Sequence, residues 1–261
     1  MSVLTVNIGN SVINVGLFGE GGELIFNSSL SADARFTEDE HCIRIKNVLQ
    51  LNSTDISEIK GSILSSVVPT MTDNVARAMK RLFGRLPIIL GPGVKSGLNI
   101  RIDNTSELGS DIVAESVAAI HKYAPPIVLV DVGSATVLSA IDINRDYIGC
   151  VICPGIDLSI DVLAEKTALL PQIGLRGRGP LIGKNSADSI NSGIIYGTAA
   201  MIDGLVSQIE DQIGKSSVVA TGQYAKEICG HCKHDVIYDK HLLLEGLYTI
   251  YVKNTQKRSR N

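Results

Sequence analysis

The chain carries one short pattern twice: an apolar strand, a side-chain oxygen near its tip, one spacer, a glycine, and a hydroxyl residue soon after. It occurs as VLTVNIGNS from Val3 to Ser11 and as IVLVDVGSAT from Ile127 to Thr136. In the second copy an apolar run bounded by Pro125 and Pro126 on one side and Gly133 on the other predicts a buried strand ending in a tight turn. The polar groups therefore stand at strand tips, each followed by a return strand.

The surrounding elements repeat as well. Val3 to Ile8, Ser11 to Phe18 and Glu23 to Leu30 read as a three-strand meander. Cys42, Ile45, Val48 and Leu49 recur at helical spacing, followed by a strand at 62–67, a helix carrying Met71, Val75, Met79 and Leu82, and a short strand at 88–90. A helix from Asp111 to about Tyr123 closes the first half. The second half predicts strands at 127–131, 136–141 and 147–152, helices near 156–169 and 187–213, a strand at 218–220, a helix from about Gln223, a strand at 236–238 and a final helix at 242–251. The expectation is an α/β fold of two duplicated βββαβαβα halves, residues 1–123 and 124–261. This plan resembles the superfamily of acetate and sugar kinases, heat-shock ATPases and actin, with ribonuclease H-like halves. The resemblance implies a central nucleotide cleft, and alone it fixes no substrate.

With 261 residues, 44% of them apolar, the chain can fill a large core. A net charge of -3 gives no general attraction for nucleic acid, and the basic end (Lys253, Lys257, Arg258, Arg260) reads as a frayed tail. No basic-then-apolar leader opens the sequence, and no apolar run approaches the roughly 20 residues that cross a bilayer. The expectation is a cytoplasmic protein with neither nucleic-acid nor membrane partners. Five cysteines form no disulfide framework and fit a reducing compartment. Cys150 and Cys153, with Cys229 and Cys232 beside His231 and His234, would suit zinc. Yet the first pair falls in a strand, where positions three apart face opposite ways, so buried thiols are the preferred reading.

Phosphates are met by backbone N–H groups and small hydroxyls, and glycine lets the main chain come close and turn. Gly9-Asn10-Ser11 and Gly133-Ser134-Ala135-Thr136 both supply that, and Asp131 could hold a cation or a metal-bound water. Two ordinary hairpin turns would also explain either motif alone; their matching places in the two halves favour the phosphate reading. Val218 to Gly222 could lie against an adenine ring. Gly183-Lys184-Asn185-Ser186 departs from a phosphate-binding P-loop, with Arg178 for the first glycine and Asn185 after the lysine. Asp111 opens a helix, where it would either cap free N–H groups or accept the proton of an alcohol attacking a γ-phosphate.

The motifs in order resemble one family over nearly the whole chain, the type III pantothenate kinases. They include Ile8-Gly9-Asn10-Ser11, Gly91 to Leu98 (GPGVKSGL), Asp103-Asn104, Gly109-Ser110-Asp111, Asp131 to Thr136, Pro154-Gly155-Ile156, Gly183 to Ser186, Ser192-Gly193-Ile194 and Ala220-Thr221-Gly222. The resemblance implies ATP-dependent phosphorylation of pantothenate to 4'-phosphopantothenate, the first step of coenzyme A biosynthesis, with Asp111 as general base. It implies ATP contacts from Asn7, Ile8, Gly9, Asn10, Ser11, Val12, Ile13, Asn14, Gly133 and Ser134. Pantothenate would be lined by Ile102, Gly109, Ser110, Asp111, Ile112 and Ser186. Magnesium would accompany ATP, Asp131 would bind potassium or ammonium, and the protein would act as a homodimer.

Three positions depart from the family pattern: Asn7 replaces an aspartate, Ile102 a tyrosine and Ile112 an arginine. Asn7 keeps an oxygen but loses the charge that would hold a hydrated magnesium ion. Ile112 offers a carboxylate nothing, where a charged donor contributes about 1.5–3 kcal/mol. The alternative expectation is a weakened or non-catalytic paralogue that binds ligand or regulates. Asp33 and Glu107 are candidates to supply the charge missing at position 7.

Overall fold

The computed structural model describes residues 2–255; Lys257, Arg258 and Arg260 of the basic end lie outside the described residues. The strands are β1 (Ser2–Ile8), β2 (Val12–Phe18), β3 (Leu24–Ser31), β4 (Ile59–Ser66), β5 (Ile88–Ile89), β6 (Asn99–Ile100), β7 (Ile127–Val132), β8 (Ala135–Ile141), β9 (Asp146–Pro154), β10 (Ser217–Thr221) and β11 (Val236–Tyr238). The α-helices are α1 (Glu38–Leu51), α2 (Pro69–Phe83), α3 (Ser110–Lys122), α4 (Ile156–Lys166), α5 (Ser186–Ile213), α6 (Ala225–Cys229) and α7 (Leu242–Thr255). The chain splits into two compact units: Met1–Leu98, Asn104–Ala118 and Leu242–Asn261 form the first, Asn99–Asp103 and Ala119–His241 the second. The expected halves are contiguous in sequence, whereas these units are not.

In the first unit the sheet order is β3-β2-β1-β4-β5, and in the second β11-β10-β7-β8-β9-β6. Apart from β6, the second order is the first one read in reverse: an antiparallel meander followed by two parallel strands. The duplicated plan expected from the sequence is thus present in both sheets. The extra strand β6 has only two residues, too few for a periodic signal. It is held to β9 by Arg101 N–H on Tyr147 O at 2.8 Å and by Asp146, which accepts from Asn99 Nδ2 at 2.8 Å and pairs with Arg101.

Alternation along β1 decides what faces the site. Leu4, Val6 and Ile8 enter a core with Ile45, Val48 and Leu49 of α1 and Val75 and Met79 of α2, so Thr5 and Asn7 point to the opposite face. Helix α1 starts on a reciprocal cap: Thr37 Oγ1 accepts from Glu40 N–H, and Glu40 Oε2 accepts from Thr37 N–H at 2.7 Å. Helix α2 has Pro69 in its first turn and ends at Gly84, whose φ of 74° is left-handed.

Helix α7 covers the Thr5 face of this sheet, and small residues let it come close. A side chain at Gly16 would meet Leu244 Cδ1 and Thr5 Oγ1, both at 2.9 Å. Phe18 and Tyr248 stack with ring centroids 4.8 Å apart. At Gly246 a Cβ would overlap the main chain of Ala114 in α3, so this glycine sets how near the two helices lie. Gly246→Ala is therefore expected to destabilise the fold by about 1–3 kcal/mol through overpacking, read as a lower urea midpoint at unchanged slope.

Candidate active site

In the first unit three segments meet at the tips of β1 and β4. The two strands run parallel with Asn7 beside Ser65 and Ile8 beside Ser66, and Val67 N–H continues the ladder onto Ile8 O at 3.0 Å. Residues in register share a face, so Ser65 lies on the side to which Asn7 points. The start of α3 is fastened there. Ser110 Oγ lies 2.8 Å from Ser65 Oγ, accepts from Ser66 N–H at 3.2 Å and donates to Ser66 O at 3.1 Å. Thr72 Oγ1 donates to Ser66 Oγ at 2.8 Å, holding that hydroxyl in turn. The sequence reading gave Ser65 and Ser66 no role. The signal available was a pair of hydroxyls at the end of a buried strand, just ahead of the Val68-Pro69 start of α2.

Asp111 follows Ser110 in the first turn of α3. Its Oδ1 accepts from Ile112 N–H at 2.8 Å, and burial nevertheless pushes its carboxyl above the usual carboxylate value. A Cβ on Gly109 would collide with that Oδ1, so glycine leaves the approach open. A desolvated carboxylate takes up a proton more readily than one in water, which suits a base. Ile112 itself is buried, with 7% of its surface exposed, and packs as a core residue.

The first turn spans residues 9–12, between the paired Ile8 and Ile13. Gly9 N–H donates to Val12 O at 2.9 Å, and Asn10 and Ser11 are exposed. Ile8 and Ile13 place their side chains in the core, so what they present to a ligand is backbone. Asn14 Oδ1 accepts from Ser29 Oγ at 2.9 Å on the neighbouring strand. Asn7 is 4% exposed and its Oδ1 has no hydrogen-bond partner. A buried acceptor left unpaired costs about 1–3 kcal/mol, and such a group calls for a partner that comes from outside the fold. Neither candidate replacement acid is held ready. Arg35 engages Asp33 and holds its carboxyl down to about 2, and Glu107 accepts from Asn104 Nδ2 at 2.8 Å.

The second unit repeats the turn in a tighter form. Residues 133–135 separate the paired Val132 and Thr136, and Gly133 N–H donates to Ala135 O at 3.0 Å. The turn has close backbone neighbours. A Cβ on Gly155, at the start of α4, would overlap Gly133 O and Ser134 O. A Cβ on Gly222, whose φ is +102°, would overlap Asp131 Oδ1 and come within 2.7 Å of Val132 N and C. Asp131 stands at the end of β7, paired across to Thr221 of β10 and Val137 of β8. Thr136 Oγ1 is buried and has no partner, a further acceptor that the turn itself does not satisfy.

Ser186 is the first residue of α5, behind Asn185, whose side chain accepts from Asp188 N–H at 2.9 Å as the cap. It lines a cavity of about 710 Å³ with Lys184, Ser189, Leu163, Leu170 and Ile194. Its lining combines polar residues and one lysine with aliphatic side chains. Ile102 follows β6 in the second unit, and Gly109, Ser110, Asp111 and Ile112 stand at the start of α3 in the first. Among the described residues no three His, Cys, Asp or Glu side chains are grouped to share a metal ion, and no helix is long and apolar enough to cross a membrane.

Two sheets of this topology, each ending its first hairpin in a glycine turn, define an actin-like ATPase fold of the sugar-kinase type. Solved structures agree. The activator of 2-hydroxyisocaproyl-CoA dehydratase from Clostridium difficile, with bound ADPNP, superposes at a TM-score of 0.56 with 10% identity, covering 100% of this chain and 99% of that one. Component A of (R)-2-hydroxyglutaryl-CoA dehydratase from Acidaminococcus fermentans gives 0.57 with 12% identity, over 96% and 97%. The chain belongs to the type III pantothenate kinase family, whose model matches residues 3–208. A type III pantothenate kinase from an Exiguobacterium species is 37% identical over 252 residues, 97% of this chain and 99% of the relative.

Proposed function

We propose that this type III pantothenate kinase transfers the γ-phosphoryl group of ATP to the primary hydroxyl of pantothenate, with Asp111 as the proton acceptor. The observation that carries the assignment is the buried carboxylate of Asp111, raised in pKa and following directly on Ser110, which is fastened to Ser65 and Ser66. In-line phosphoryl transfer asks the protein mainly for positioning and for stabilisation of charge. The main chain of residues 7–14, and Gly133 with Ser134, would supply N–H groups and hydroxyls to the phosphates. Asp111 would take the hydroxyl proton as the oxygen attacks. Gly109 and Ser110 would line the alcohol, with Ile102 and Ser186 as further pantothenate contacts. Ser186 shares its cavity with Lys184 and with the aliphatic Leu163, Leu170 and Ile194.

Magnesium bound with ATP would neutralise phosphate charge. The donor set fits it in part. Asn7 Oδ1 is an unpaired oxygen that can accept from a metal-bound water, but it brings no negative charge. Asp131 would hold a potassium or ammonium ion. A homodimer is supported by the apolar surface of the second unit, where Leu158 and Val162 of α4, and Leu169, Leu181 and Ile182 after it, are exposed. Free thiols throughout fit a cytoplasmic location. The non-catalytic alternative has its support in Asn7, Ile102 and Ile112, and Ile112 is absorbed as a core residue.

An ADP-release assay with pantothenate, magnesium and potassium tests the activity; absence of turnover at saturating substrates would overturn it. Asp111→Asn should lower kcat by roughly 10²–10⁴-fold while unfolding no earlier than the unmodified protein, because it removes a desolvated charge. The base works when ionised and its pKa is raised in the fold. Activity should therefore rise with pH through a midpoint above the ordinary carboxylate value, and Asp111→Asn should abolish that limb. Asn7→Asp should lower the magnesium concentration giving half-maximal ADP release; an unchanged requirement would remove Asn7 from the metal's surroundings. Sedimentation equilibrium should give twice the 27.8 kDa chain mass, and Leu169→Glu with Ile182→Glu should halve it.

A further inference from the structure

The second C-x-x-C motif has no part in phosphoryl transfer, and its geometry is that of a closed turn. Helix α6 ends at Cys229, and the chain continues past it in 3-10 fashion. His231 N–H donates to Ile228 O at 3.0 Å, and Cys232 N–H to Cys229 O at 3.1 Å. Gly230 between them holds helical angles, φ −64° and ψ −8°. Residues three apart in a 3-10 turn eclipse one another and are separated by a rise of about 6 Å, which lies inside the range of Cα separations a disulfide spans. Cys232 Sγ lies 3.8 Å from both Ala199 O and Ile228 O, the latter in the last turn of α6. Both cysteines are partly exposed, and Gly230 between them is exposed.

The segment is also held rigidly. Asp203 accepts from the N–H groups of Lys233 at 2.8 Å and His234 at 3.0 Å, and its Oδ1 lies 2.9 Å from His234 Nδ1. His231 packs edge-on to Tyr196 at 4.9 Å. The other cysteines lack this arrangement. Cys150 and Cys153 lie three apart on β9, which separates them by about 10 Å along an extended chain. Cys42 has no second cysteine within a turn of it.

We propose that Cys229 and Cys232 are a redox-active dithiol that reacts with small organic disulfides and closes to an intramolecular disulfide within the folded protein. The Cys229 thiolate attacks one sulfur of the small disulfide, whose S–S bond breaks; one small thiolate leaves and takes up a proton. Cys232 then gives its proton to water, and its sulfur displaces the second small thiolate from Cys229. Two protein thiols are oxidised and one small disulfide is reduced to two thiols. The order of attack follows from the difference between the two neighbouring thiols. Cys232 beside it holds the Cys229 thiol below its ordinary pKa, while Cys229 and burial push that of Cys232 up.

The test uses the full-length folded protein, reduced and then exposed to oxidised glutathione, quenched in acid, alkylated and digested with trypsin. The peptide from Glu227 to Lys233 should lose two hydrogens and take up no alkylating agent. In Cys232→Ser the reaction should stop with glutathione on Cys229. Recovery of Cys229 and Cys232 both as free thiols once exposed Cys150 has been consumed would overturn the proposal, as would recovery of both as separate glutathione adducts. The unmodified protein gives the decisive peptide even if the serine variant folds poorly.

Discussion

The parallel pairing of β1 with β4 is the constraint on which the first unit's site depends. It sets Asn7 beside Ser65 and Ile8 beside Ser66, so a single register brings an amide and two hydroxyls to one tip. Ser110 then reads that tip with its hydroxyl, and Asp111 inherits its position as the next residue. A one-residue slip of β1 would turn Asn7 to the α1 and α2 face, away from Ser65 and the start of α3. The apolar residues of β1 resist such a slip, because Leu4, Val6 and Ile8 are all needed on the opposite face.

The two glycine turns share their wiring but differ in how closely the fold wraps them. The first is one residue longer, with Asn10 and Ser11 exposed, and its strand tip ends in a neutral amide with an unsatisfied oxygen. The second is shorter, and the main chain at Gly155 and Gly222 lies against it where no side chain would fit. Close backbone approach fixes the second turn, and Asp131 supplies a charge there. The first turn keeps an open apron of exposed backbone and a vacancy in its hydrogen bonding. Each turn also leaves one buried oxygen unpaired, Asn7 Oδ1 at the first and Thr136 Oγ1 at the second.

Much of this architecture was legible along the chain. Alternation and helical spacing placed both meanders and the main helices to within a few residues, and the repeated glycine turn announced the duplication. The strand Val236–Tyr238 has the bounds expected from the sequence. β6 was not legible, because two residues carry no period and its pairing depends on Arg101 and Asp146, which are 45 residues apart. Nor could the pattern show that α7 belongs with the first sheet; that follows from Gly16, Gly61 and Gly246, whose missing side chains make room for a helix that comes last in the chain.

The local sequence determined the strand tips, their glycines and the residue types gathered there, because period-two alternation and turn chemistry act over a few neighbouring residues. The motif order along the chain determined the family. Only the tertiary structure decided that Ile112 would be buried as core and that Asn7 would keep an unpaired oxygen, and only it raised the Asp111 carboxyl by burial. Desolvation and hydrogen-bond satisfaction depend on atoms brought from distant segments, here β4 and α3, and no window of sequence contains them together.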